Sequence, residues 1–247
     1  MDGGSGIYIL TSRMMGQVKS MNIVADNVAN ANTTGYKRQE MSFREIEGGK
    51  KLHPAGRFTT DLPLRYVFTN GGLEKTDNPL DVALEGDGFF AIQGPNGGEI
   101  KYTRDGQFGL DAAGNLVTSR GERVLDSNNA PINIPEGAQI VIAKDGSIGT
   151  REGLLAQLGI FTFADNQQLV RAGGSVYINP QRVVATPATP ENVTVKQGFM
   201  ESSNVNPIEE TVNMTEALRS YQSTLRSLNT LEDLENRAIR ELARVSQ

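Results

Sequence analysis

Cysteine and tryptophan are absent from this chain of 247 residues, and histidine occurs once. The missing cysteine excludes disulfides, thiolate nucleophiles and cysteine-ligated metals, and leaves the redox compartment open. The single histidine, His53, lies in the proline-containing loop "KKLHPAGRF", so neither a Ser-His-Asp nor a Cys-His arrangement has local support. A surface-loop histidine is the plainer reading. Long apolar runs are also lacking: nothing approaches the ~18 consecutive apolar residues of a membrane-spanning helix, so no membrane insertion is expected. The amino terminus "MDGGSGIYIL" has no basic n-region, long apolar core or small-residue cleavage site. Export, if it occurs, is expected to proceed without a cleaved signal peptide. Positive charge is scarce too. A net charge of −5 argues against a broad electrostatic hold on nucleic acid or anionic membrane. The local basic cluster Lys37, Arg38, Arg44, Lys50 and Lys51 reads as a solvated connector.

What the chain does contain is helical periodicity at both ends. Near the amino terminus, apolar residues fall at Ile7, Leu10, Met14, Met21, Val24, Val28 and Ala31, with Gln17 in the one polar slot. Written as heptads, Ile7, Met14, Met21 and Val28 occupy a, and Leu10, Gln17, Val24 and Ala31 occupy d. The pattern stops at Thr33-Thr34-Gly35, where glycine suits a helix exit. Near the carboxyl terminus, Asn206 reads as an N-cap, Pro207 as N1 and Glu209 as N3 of a capping box. A stripe of Met214, Leu218, Tyr221, Leu225 and Leu228 follows, and Leu231 and Leu234 continue it at spacings of three, a stammer in the heptad.

Between these ends the texture is that of β structure. Turn signals recur, among them "PNGG" at 95–98, "AAGN" at 112–115, "KDG" at 144–146 and "RAGG" at 171–174. Short segments such as "DVAL", "FFAI", "QIVIA", "LGIFTF" and "VTVKQ" lie between them, as in a sandwich or barrel-like module. Lys37 to about Lys75 has little periodicity and reads as an extended connector. The division expected is therefore an axial helix over 1–35, a connector over 36–75, a β-rich domain over 76–204, and a second axial helix over 205–247 that pairs with the first. In fold-class terms this is α+β, with long coiled-coil-like terminal helices packed together and a central all-β domain.

Catalytic equipment is thin. Asp87, Asp105 and Asp145 each precede glycine and offer a conceivable carboxylate pair for glycan hydrolysis. Asp-Gly is also a common turn dipeptide, which explains them without chemistry. "DGQFGLDAAGN" lacks calcium-loop spacing, and "GGKK" at 48–51 is no phosphate loop. No catalytic, metal or cofactor-binding residue is assigned, and no cofactor is expected.

"ADNVANANTTGYKR" (25–38) closely resembles the amino-terminal signature of the flagellar axial proteins, the rod, hook and hook-associated subunits of the bacterial flagellum. "NPLDVALEGDGFFAIQ" (78–93), "YTRDGQFGLDAAGNLVTSRGERVL" (102–125) and "QGFMESSNVNPIEETVNMTEALRSYQ" (197–222) are similar to the rod branch of that family, in the right order. The short stretch from Arg38 to Leu73 resembles the proximal-rod type more than the distal-rod type. The resemblance implies a non-enzymatic subunit of the periplasmic rod, made in the cytoplasm and exported by the flagellar type III apparatus. Its partners would be further copies and neighbouring proximal and distal rod proteins, in a helical assembly that transmits torque and encloses the export channel. A distal-rod or hook-type subunit is the alternative, and an exported β-rich module acting on cell-wall glycan is the rival from another class. The assembly interface expected is the helical stripes named above together with Asn27 and Asn32. These amides flank the Val28/Ala31 seam at g and e, and are read as trading helix propensity for packing specificity.

Overall fold

The computed structural model describes residues 3–41, 64–151 and 153–245. His53 and the basic residues Arg44, Lys50 and Lys51 lie outside them. In chain order the elements are α1 (Gly3–Ala29), β1 (Gln39–Met41), β2 (Leu64–Tyr66), β3 (Leu73–Lys75), β4 (Val82–Gly86), β5 (Phe89–Gln93) and β6 (Ile100–Thr103). There follow β7 (Phe108–Leu110), β8 (Leu116–Thr118), β9 (Arg123–Val124), β10 (Val141–Ile142), β11 (Ser147–Thr150), β12 (Gly153–Gln157) and β13 (Ile160–Phe163). Then come β14 (Val170–Gly173), β15 (Val176–Ile178), β16 (Ala185–Pro187), β17 (Val193–Gln197), β18 (Phe199–Glu201) and α2 (Pro207–Val245). They form two compact units: one holds both helices and β1, and the other takes Asn30–Arg38 and Tyr66–Val205. No helix among the described residues is long and apolar enough to cross a membrane.

In the β unit, the turn signals become hairpins. β5 and β6 join through "PNGG", β7 and β8 through "AAGN", β10 and β11 through "KDG", and β14 and β15 through "RAGG", each pair antiparallel. The largest sheet runs β14-β15-β6-β5-β9-β8-β7, with β13 paired to β5 off this path and β16 paired to β13. β5 is apolar on both faces, which is why "FFAI" shows no alternation. Phe90 and Ile92 enter one core with Val82, Leu84, Phe108 and Leu116. Phe89 and Ala91 enter another with Tyr66, Tyr102, Phe163 and Tyr177. β4 pairs with the distant β17, from Val82↔Gln197 to Val193↔Gly86, so the unit closes on a strand contributed late in the chain.

In the helical unit, α2 begins as its sequence implies. The Asn206 side chain accepts from the amide N–H groups of Ile208 (3.1 Å) and Glu209 (3.4 Å), with Pro207 at the first helical position. The coiled-coil-like description of the fold, however, is overturned. Among the described residues two α-helices flank a β-rich middle, and the a/d stripe is not a uniformly buried seam. Of the heptad residues, Val28, Leu218 and Leu234 are 38%, 40% and 55% exposed. The most buried α2 side chains on that side include Glu210 and Thr224, and Asn27 is buried on α1. At the polar slot, Gln17 Nε2 donates to Ser220 Oγ at 2.7 Å and to Thr224 Oγ1 at 3.2 Å. The reason is geometric. A straight helix repeats every 3.6 residues, so a strict seven-residue stripe drifts by ~20° per heptad unless supercoiling corrects it, and the stammer at Leu231 and Leu234 adds to the drift. The first helix also ends earlier than its stripe. It stops at Ala29, leaving Ala31 and Asn32 beyond it.

Candidate functional site: the signature segment and the helix faces

The segment that follows α1 is built into the β unit by its own backbone. Gly35 N donates to Glu201 O (2.7 Å), Asn204 N to Tyr36 O (3.3 Å), and Val67 N to Arg38 O (2.9 Å). The Asn204 amide completes the clasp: its Oδ1 accepts from Arg38 N at 2.7 Å, and its Nδ2 donates to Val67 O at 2.7 Å. Gly35 is required by two features at once. Its φ of +64° favours glycine, and a Cβ there would lie 2.5 Å from the Arg104 carbonyl carbon. So Gly35 is not the residue that ends the helix; it lets the chain pass against Arg104.

Beneath this clasp sits a buried charge cluster. Lys37 Nζ donates to Glu201 Oε1 at 2.6 Å and to Thr69 O at 2.8 Å, and Gly71 N donates to the same carboxylate oxygen at 2.9 Å. Arg104 approaches Glu201 Oε2 at 3.5 Å and lies 5.2 Å from the centre of the Phe89 ring. The side chains of Lys37, Glu201 and Arg104 are fully buried. Burial pushes the Lys37 ammonium down to about 8, against the opposing pull of Glu201. Burial likewise lowers Arg104. Beside them the Arg171 guanidinium lies over Tyr36 at 4.2 Å and Tyr66 at 4.8 Å and donates to Lys37 O. Lys37 thus departs from its reading as a solvated connector residue. Its partner Glu201 lies 164 residues away, and no local signal announces it.

Of the aspartates before glycine named above, Asp105 and Asp145 serve turns, while Asp87 acts electrostatically on Lys37 and Arg104. Asp105 Oδ1 accepts from Gln107 N at 3.1 Å, and Asp145 Oδ1 from Ser147 N at 3.0 Å. Asp105 has a second role, accepting from the Thr34 hydroxyl at 2.8 Å, while Ser175 Oγ donates to Thr34 O. Both bonds tie the signature segment down.

The helix residues expected at an assembly interface fall into three groups. Val24 and Asn27 are buried. Ile7, Leu10, Met14, Met21, Ala31, Met214, Tyr221, Leu225, Leu228 and Leu231 are half-buried. Val28, Asn32, Leu218 and Leu234 are exposed. Asn27 makes a reciprocal pair with Gln39: its Nδ2 donates to Gln39 O and its Oδ1 accepts from Gln39 N, both at 2.9 Å. Within the chain, that amide folds β1 back onto the end of α1. The heptad reading missed a further stripe on α2. Ile208 (77% exposed), Val212, Thr215 and Arg219 lie along one side of the helix, with Thr211 and Glu216 flanking a shallow cleft. At ~100° per residue this stripe is opposite the side carrying Glu210, Ala217 and Thr224. Met15 and Val18 of α1 are exposed as well.

Family models match three parts of the chain. The flagella basal body rod protein model covers residues 7–37, the flagellar hook protein FlgE/F/G D1 domain covers 83–150, and the flagellar basal body rod FlgEFG protein C-terminal model covers 196–241. The flagellar basal-body rod protein FlgF of Caulobacter vibrioides is 32% identical, with 98% of this chain and 99% of that protein covered. FlgF of Rhizobium meliloti is 33% identical over 96% and 98% of the two chains. The rod protein FlgG of Buchnera aphidicola subsp. Acyrthosiphon pisum is 34% identical over 92% and 96%. The first family model ends on the clasped segment and the third begins just before Glu201. With nearly full-length relatives on both sides, the chain belongs to the flagellar basal-body rod protein family.

Proposed function

We propose that this chain is a structural, non-enzymatic subunit of the proximal rod, of the FlgF type, which assembles with further copies and with neighbouring rod proteins. The observation that carries the reading is the outward apolar stripe Ile208–Val212 on α2, on the side opposite the one that packs toward α1. A helix with apolar residues on both sides leaves one of them for other subunits. Met15 and Val18, the exposed Val28, Leu218 and Leu234, and the half-buried stripe residues would extend that interface. Manufacture in the cytoplasm, export by the flagellar type III apparatus without a cleaved signal, and residence in the periplasmic part of the rod follow from the same reading. The FlgF relatives, nearly equal in length to this chain, support the proximal type. The FlgG relative at 34% identity supports a distal type as the second reading.

The test is an Ile208→Asp/Val212→Asp double variant expressed in place of the native gene. The purified variant should fold as the unchanged chain does, cells should lose motility, and the variant should be missing from isolated basal bodies. Motile cells with the variant present in their basal bodies would refute the reading. Residue-specific cross-linking in intact basal bodies then separates the types by whether this chain's partners include the earliest rod proteins or the hook-side ones.

A further inference from the structure

The tripeptide Asn-Gly-Gly occurs twice in the chain, at 70–72 and at 96–98. An asparagine before glycine is prone to attack on its side-chain amide by the next backbone nitrogen, because glycine has no Cβ to obstruct the approach. The same two residues follow both asparagines, and both asparagines are exposed. What differs is the state of the attacking nitrogen.

Gly71 N donates to Glu201 Oε1 at 2.9 Å, and the same oxygen accepts from Lys37 Nζ. The Glu201 side chain is fully buried. A hydrogen bond to a buried carboxylate is of the strong kind, and the adjacent negative charge opposes loss of the amide proton that the attack requires. The backbone is also confined. A Cβ at Gly71 would lie 1.9 Å from Ser202 O, and Gly72 O accepts from Ser202 N at 2.8 Å. Gly97, at the tip of the β5–β6 hairpin, is held differently. Its N donates to the neutral Gly94 O at 2.9 Å, in an exposed turn where water competes for the bond. A Cβ at Gly97 or Gly98 would meet nothing within 4 Å, so the chain has room to move there.

We propose that Asn96 is a site of spontaneous deamidation and that Glu201 protects Asn70 from the same reaction. Gly97 N loses its proton and bonds to Asn96 Cγ. The bond from Cγ to the side-chain nitrogen breaks, and that nitrogen leaves as ammonia with the proton, closing a succinimide ring. Water then opens the ring at either carbonyl. The net change converts asparagine and water into aspartate or isoaspartate and ammonia, with no oxidant or reductant. Either product places a new carboxylate three residues before Glu99. Isoaspartate also lengthens the main chain inside the turn that the Gln93 Nε2 bond to Gly98 O spans at 2.8 Å.

The test ages the purified full chain in mildly alkaline buffer, folded and in denaturant, and follows each asparagine by peptide mass spectrometry. Electron-transfer fragmentation separates isoaspartate from aspartate. In the folded chain Asn96 should convert about tenfold faster than Asn70, since the Gly71 nitrogen must first leave a carboxylate. In denaturant the two should convert at similar rates. Equal rates in the folded chain, or no conversion at Asn96, would overturn the proposal. So would a difference that persists in denaturant, because sequence rather than the Glu201 contact would then set it. The measurement involves no assembly, so it stands or falls separately from the rod reading.

Discussion

At the scale of single residues, Glu201 is, among the described residues, the only carboxylate in direct contact with Lys37 and Arg104, two fully buried cations. Glu201→Gln removes the carboxylate that touches both cations, leaving Asp87 as the charge still acting on them, and should destabilise the β unit by about 3–5 kcal/mol. Lys37→Met should be milder, since Arg104 still balances the carboxylate. Thermal or denaturant unfolding of the two variants checks the order, and a Lys37→Met loss equal to or above that of Glu201→Gln would contradict it. The same cluster sets a pH dependence. The folded Lys37 loses its proton near 8 and the unfolded one near 10.5, so between those values the unfolded chain binds more protons. This group's burden on stability is full below about 8 and is relieved as pH rises to 10.5. The stability of the unchanged chain relative to Lys37→Met should therefore increase across that window. None of this was legible locally. A lysine in a loop carries no mark of a glutamate from the far end of the chain, whereas the Asx turns at Asp105 and Asp145 need only their own neighbours.

At the scale of elements, the local signals succeeded and the long-range ones did not. Asn206 caps α2 because a cap is decided within one turn, and the Gly-rich dipeptides closed the hairpins for the same reason. The pairing of β4 with β17 and the clasp of Arg38 against Asn204 join segments far apart in sequence, which periodicity does not report. The heptad stripe is only partly the packed side: 3.5 and 3.6 residues per turn diverge over a helix of 39 residues, so Ser220 and Thr224 share that side with the half-buried Tyr221, Leu225 and Leu228, while Leu218 and Leu234 are exposed. The asparagines of the signature divide accordingly. Asn27→Ala removes two hydrogen bonds to Gln39 and strands buried groups, so it should cost about 1–3 kcal/mol in the isolated chain. Asn32→Ala, at an exposed position past the helix, should change stability by no more than ~0.5 kcal/mol. Chemical denaturation of the two variants separates anchor from surface residue. A similar loss in both would mean that the Gln39 pairing is not what holds the end of α1.

At the scale of the whole molecule, the two units have different degrees of self-sufficiency. The β unit fills two apolar cores from its own strands and satisfies the signature segment through the clasp and the charge cluster. The helical unit has one mutual side, polar at its middle, and further apolar surface at Met15, Val18, Ile208 and Val212 that is exposed among the described residues. The proposed function makes use of that asymmetry: a folded body, and helices that neighbouring subunits would complete. Peptide-resolved hydrogen exchange on the dilute chain and on isolated basal bodies tests this most directly. The account predicts strong protection over 66–205 in both samples, with α1 and α2 exchanging fast in the dilute chain and slowly in the assembled rod. Helices equally protected in both would mean that the pair is complete within one chain, and the claim that neighbours complete it would be wrong.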